Sequence, residues 1–129
     1  MSGKYLLDSN IIIALFNGDR SIPPKLDASE LVCISVVVIG ELLYGAKKSQ
    51  HIKENIDKIR NFVSRCSVFS INEETAEGYS SIKTGLMKKG CPIPENDIWV
   101  AATALQYELI LVSRDEHFNI IPKLLIEQW

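Results

Sequence analysis

Short apolar runs alternate along this chain with longer stretches in which apolar residues recur every three or four positions. Tyr5-Leu6-Leu7 reads as a short buried strand that stops at Asp8-Ser9-Asn10. The apolar segment Ile11 to Phe16 then reads as a helix, with Ser9 as its N-cap and Gly18 as its stop. Leu31 to Ile34 predicts a second strand and Ser35 the cap of the next helix. β-branched Val36, Val37 and Val38 favour more strand locally. Ile39, Leu42, Leu43 and Ala46, however, recur at i, i+3, i+4 and i+7, and that stripe decides for helix.

A charged amphipathic helix follows from about Gln50 to Arg65, with Ile52, Ile56, Ile59 and Val63 on one side. Val68-Phe69-Ser70 predicts a brief strand, and Asn72 opens a helix that runs to about Lys89. Gly90-Cys91-Pro92-Ile93-Pro94 must be a loop, since two prolines and a glycine break either regular structure. Asn96 or Asp97 caps the best helical pattern, in which Ile98, Ala101, Ala102, Leu105 and Leu109 repeat at helical spacing. Ile110-Leu111-Val112 is a compact strand before the polar turn Ser113-Arg114-Asp115, and Leu124-Leu125-Ile126 reads as a last strand. Strands alternating with helices predict a three-layer α/β/α sandwich around a mostly parallel sheet.

With 129 residues and no repeat, low-complexity tract or linker, residues 1–129 are expected to form a single domain. The formal charge of −2 lacks the broad basic footprint of a protein that passively coats nucleic acid. Cys33, Cys66 and Cys91 form no CxxC pair and read as reduced thiols in a cytoplasmic protein. The N-terminus reaches a charge too soon for a secretory signal, and no apolar run approaches the roughly 20 residues of a membrane span. His51 and His117 have no metal-ligand spacing to each other or to the cysteines, and both read as residues without a site.

Acids stand where an open parallel sheet places its ligands, at the carboxyl ends of strands. Asp8 follows the first strand at once, Asp115 follows Ile110–Val112 closely, and Asp97 opens the helix that leads into that strand. Glu41 lies among Val38, Ile39, Leu42 and Leu43, where an inward-facing carboxylate needs a partner. Taken singly, each acid has a bland explanation as turn former, solvated residue or helix-dipole partner. Those explanations do not account for the four together.

Four segments carry a resemblance. Leu-Asp-Ser-Asn-Ile (7–11), Ile-Ser-Val-Val-Val-Ile-Gly-Glu-Leu-Leu-Tyr-Gly (34–45), Asn-Asp-Ile-Trp-Val-Ala-Ala-Thr-Ala-Leu (96–105) and Leu-Val-Ser-Arg-Asp-Glu-His-Phe (111–118) resemble, in order, the signature segments of PIN domains. Glu41-Leu42-Leu43-Tyr44-Gly45 and Pro92-Ile93-Pro94-Glu95-Asn96-Asp97 look most like the VapC-type toxins of bacterial toxin–antitoxin pairs. The resemblance implies catalytic, metal-holding acids at Asp8, Glu41, Asp97 and Asp115, with Asp115 the softest of the four. It implies supporting roles for Ser9, Asn10 and Ser113, the last standing where the family usually has threonine. It also implies endonucleolytic cleavage of single-stranded or loop RNA leaving a 5′-phosphate, a cognate antitoxin and a homodimer.

Four gathered carboxylates repel one another by about 1 kcal/mol per pair at 4 Å in water and about 4 at an effective dielectric of 20. They must share protons or hold a hard cation, and an all-oxygen set favours Mg²⁺ or Mn²⁺. Lys47, Lys48, Lys53, Lys88, Lys89 and Arg114 are candidates for a phosphate grip, and Tyr44, Trp99 and Trp129 for partner contacts, with a core role at least as good for Trp99. A phosphatase of the Asp-x-Asp type would need an acid where Asn10 stands. A response-regulator receiver would need an acidic pair before its first-strand aspartate and a later lysine after a strand; neither is found. The remaining rival is a PIN-like module that binds partners without turnover.

Overall fold

The computed structural model describes residues 3–129. Five parallel strands lie in the order β3-β2-β1-β4-β5. They are β1 (Lys4–Leu7), β2 (Leu31–Ser35), β3 (Ser67–Phe69), β4 (Ile110–Val112) and β5 (Ile126–Glu127). Six α-helices connect them: α1 (Ser9–Phe16), α2 (Ile22–Asp27), α3 (Val36–Lys47), α4 (Ile52–Val63), α5 (Glu73–Lys88) and α6 (Glu95–Gln106). Helices cover both sides of the sheet, so the α/β/α sandwich expected from the alternation is the observed architecture.

β1 is central and buried along most of its length, as a strand covered on both faces must be. Leu6, Leu7, Ile34, Leu111 and Val112 are fully buried, and helix residues Ile11, Ile12, Val38 and Val100 close over them. From β1 the chain first builds outward through β2 and β3, then crosses to β4 and β5 on the other side. The carboxyl ends of β1 and β4 therefore flank the point where the winding reverses, which is where such sheets leave a crevice.

Several boundaries differ from the expectation. Asp8, not Ser9, caps α1: its backbone is still extended (φ −77°, ψ 161°) and its carboxylate accepts from the Ser9 amide. Likewise neither Asn96 nor Asp97 caps α6, because Pro94 occupies that position and both lie within the first turn. Ser35 does cap α3, its Oγ accepting from the Val38 amide at 3.2 Å, so the valine run enters a helix despite its strand propensity. Gly18 (φ +87°) ends the α1 turn in the left-handed region, as its stop role requires.

α2 was not expected. Pro23 and Pro24 fall in its first turn, where the missing N–H groups cost nothing. Ile52 leaves the buried stripe of α4 and is exposed, while Phe62 joins Ile59 inside. The last strand pairs only through Ile126 and Glu127. Trp129 is buried rather than exposed, its ring set edge-on against Tyr5 at 5.1 Å.

Candidate active site

The register Leu7↔Val112 places the residues after β1 and β4 side by side. The Asp8 amide donates to the Val112 carbonyl at 2.9 Å, which continues the ladder by one residue before α1 turns away. Ser113 Oγ then donates to Asp8 Oδ2 at 2.7 Å, and the Ser9 amide to Oδ1 at 2.8 Å. Asn10 ties the two loops together. Its Nδ2 donates to Ser113 Oγ at 3.2 Å, and its Oδ1 accepts from the Arg114 amide at 3.2 Å.

These loops, α3 and the start of α6 enclose a cleft of about 500 Å³. Asp8, Ser9, Asn10, Glu41, Asp97 and Asp115 all line it, with Pro94, Glu95 and Asn96 along the α6 side. All four acids read from the sequence thus converge on one space. Glu41 reaches it because α3 is a helix, and Asn96 lines the same cleft opposite it. Ser113 lies behind the cleft wall, in contact with Asp8.

Burial raises the carboxyl pKa values of Asp8, Glu41 and Asp97 above their ordinary range. Hydrogen bonds oppose the rise, from Ser113 and Ser9 at Asp8, from Asn96 at Glu41, and from His117 at Asp97. Repulsion among the acids reinforces it: Asp115 acts on Asp8 and Asp97, and Asp8 on Glu41 and Asp97. The cluster is therefore strained as a set of bare anions, and a divalent cation relieves that strain. The donor set fits a hard ion, being almost entirely carboxylate oxygen.

One nitrogen joins those oxygens. His117 lies on a 3₁₀ turn (Glu116–Ile120) capped by Asp115, whose Oδ1 accepts from the His117 amide at 3.0 Å. The turn brings His117 Nδ1 to 3.0 Å from Asp115 Oδ1 and 3.2 Å from Asp97 Oδ2. The structure thus sets His117, to which the sequence assigns no site, beside two of the acids. Its position two residues after Asp115, inside the fourth segment, was the available signal.

Three of the candidates for a phosphate grip carry contacts within the chain. Arg114 Nη2 pairs with Asp19 Oδ2 at 2.7 Å and Nε donates to the Trp129 carbonyl at 2.7 Å, so its guanidinium is committed to structure. Lys53 pairs with Asp57 at 3.1 Å, and Lys48 sits over the Tyr44 ring at 4.7 Å. Of the three aromatic candidates for contacts, Tyr44 is exposed, whereas Trp99 is half-buried and stacked on Tyr79 at 4.0 Å.

An acid cleft at the reversal point of a short parallel sheet defines this class, and the chain belongs to the PIN domain family, whose description matches residues 5–124. It is 36% identical to ribonuclease VapC2 of Haemophilus influenzae, over 98% of both chains. It is 33% identical to the tRNA(fMet)-specific endonuclease VapC of Shigella flexneri, again over 98% of each. The DNA-bound VapBC structure from Salmonella typhimurium superposes with a TM-score of 0.92 at 30% identity, covering 100% of this chain and 99% of the other.

Proposed function

We propose that this chain is a Mg²⁺- or Mn²⁺-dependent endoribonuclease that cleaves single-stranded or loop RNA, acting as the toxin of a toxin–antitoxin pair. The observation that carries the reading is the convergence of Asp8, Glu41, Asp97 and Asp115 on one cleft, where burial and mutual repulsion disfavour the bare anions of Asp8, Glu41 and Asp97. The similarity to VapC ribonucleases supports RNA as substrate and a cognate antitoxin as partner. It also underlies our reading of a single, cytoplasmic nuclease domain that forms a homodimer; no helix among the described residues is long and apolar enough to cross a membrane.

The chain's residues hold the acids ready. Ser113 and the Ser9 amide fix both oxygens of Asp8, and His117 lies between Asp97 and Asp115. Asp8 and Asp97 would hold the cation, with Glu41 and Asp115 completing the set. A divalent ion bound there supplies charge neutralisation for the phosphodiester and a more acidic attacking water. Glu41 and Asp115 face the same space, and either carboxylate not engaged by the cation would serve as a proton acceptor there.

Purified protein should cleave defined RNAs with Mg²⁺ or Mn²⁺ and stop with EDTA. Asp97→Asn and Asp8→Asn should abolish cleavage, and wild-type rates in either variant sink the assignment. RNA binding without turnover at any metal concentration would favour the binding-module reading instead.

A further inference from the structure

We infer that His117 is itself a metal ligand, so that this chain holds its cation with a mixed nitrogen and oxygen set that favours Mn²⁺ over Mg²⁺. The inference rests on the metal-dependent reading above and goes beyond its four acids. One donor atom from each of Asp97, Asp115 and His117 lies within 4.8 Å of the others. The Nδ1 distances of 3.0 Å to Asp115 Oδ1 and 3.2 Å to Asp97 Oδ2 are those of neighbouring donors around one ion. For metal–ligand bonds of about 2.1 Å, adjacent octahedral positions are about 3 Å apart.

A hydrogen bond between His117 and Asp97 accounts for only part of this arrangement, since Asp115 Oδ1 lies as close to the same nitrogen. Nδ1 carries at most one proton, yet two carboxylate oxygens from different elements close on it. Neutral imidazole can aim a lone pair from the same atom into the space those oxygens define. Asp115 also fixes the approach of the ring, since its Oδ1 accepts from the His117 backbone amide and so sets the turn. His117 stands at the cleft rim with its side chain 49% exposed, so replacing it opens no hole in the core. Imidazole nitrogen favours first-row transition ions over Mg²⁺, which holds to oxygen; Mn²⁺ gains the least of that series but still more than Mg²⁺.

The test is isothermal titration of the intact, EDTA-stripped protein with Mn²⁺ and separately with Mg²⁺, for wild type, His117→Gln and His117→Ala. Wild type should bind Mn²⁺ more tightly than Mg²⁺. Both variants should lose about tenfold or more in Mn²⁺ affinity while Mg²⁺ affinity changes less than about threefold. Co²⁺ added to wild type should give a visible spectrum that shifts in the variants. Unchanged Mn²⁺ affinity and Co²⁺ spectrum overturn the inference, and so does a parallel loss for Mn²⁺ and Mg²⁺, which marks a positioning role. A wild-type protein that takes up neither ion fails earlier, at the metal reading itself, with Asp97→Asn as its control.

Discussion

Ser113 Oγ donates to Asp8 Oδ2 at 2.7 Å across 105 residues of sequence, joining the ends of β1 and β4 behind the cleft. The same hydroxyl accepts from the Asp115 amide at 3.0 Å and from Asn10 Nδ2 at 3.2 Å. One oxygen thus orients two acids and the loop between the sheet and α1. Outer partners of this kind typically tune affinity or activity by 10–100-fold. Ser113→Ala should therefore lower the RNA cleavage rate by about 10–100-fold, whereas Ser113→Thr, which keeps the hydroxyl, should restore most of it. Equal rates in Ser113→Ala and wild type would show that Asp8 needs no such support.

The crowded carboxylates make a prediction about stability that is independent of catalysis. Asp8, Glu41 and Asp97 have folded pKa values raised above the ordinary 3.8, 4.5 and 3.8, chiefly by burial. Each binds its proton more tightly in the folded than in the unfolded chain. Their favourable contribution is complete below those ordinary values and is lost as pH rises through the raised ones. At neutral pH the metal-free protein should melt below Asp97→Asn, and the gap should narrow on acidification. Mn²⁺ should raise the Tm of wild type more than that of the variant. A wild-type protein that melts above Asp97→Asn at neutral pH without metal would contradict this account.

Much of the cleft was legible because local and periodic signals agreed. Asp8 and Asp115 follow strands whose apolar runs are short and bounded, so sheet geometry alone aims them at one edge. Glu41 was a closer decision: three valines argued for strand, and only the helical stripe of Ile39, Leu42, Leu43 and Ala46, with Ser35 as cap, put it in the cleft. His117 was not legible in the same way. Its place depends on a 3₁₀ turn that folds it back over Asp115 and toward Asp97, 20 residues earlier in the chain. Trp129 was not legible for a similar reason, since a chain end finds its partner only in the tertiary structure.

Ser35 offers a test of how α3 is held. Its hydroxyl is fully buried and accepts from the Val38 amide, leaving that donor without a partner if the oxygen is removed. Ser35→Ala should cost about 1 kcal/mol, as loss of an N-cap generally does. For a chain of this size that is a fall in Tm of roughly 3–6 °C. Cleavage measured well below the transition should survive, because Glu41 lies beyond the capped turn. No change in Tm would show that the valine run enters the helix without its cap.

Arg114 separates a structural cation from a substrate-binding one. It sits between Ser113 and Asp115, next to the cleft, where a positive charge invites assignment to the phosphate backbone. Its guanidinium, however, bridges Asp19 and the Trp129 carbonyl, and the Ser21 hydroxyl together with Arg114 holds the Asp19 carboxyl well below the usual range. Arg114→Gln should release the C-terminal segment from the loop after α1. The pair is exposed to solvent, so the loss of stability should be modest, and it should shrink at high salt. Because Trp129 packs against Tyr5 of β1, loosening should also raise amide exchange at β5. Substrate affinity should stay within about threefold of wild type and keep the same salt dependence, since a lost phosphate contact would lower the salt slope by about one. A tenfold weaker KM with an unchanged Tm would return Arg114 to the RNA.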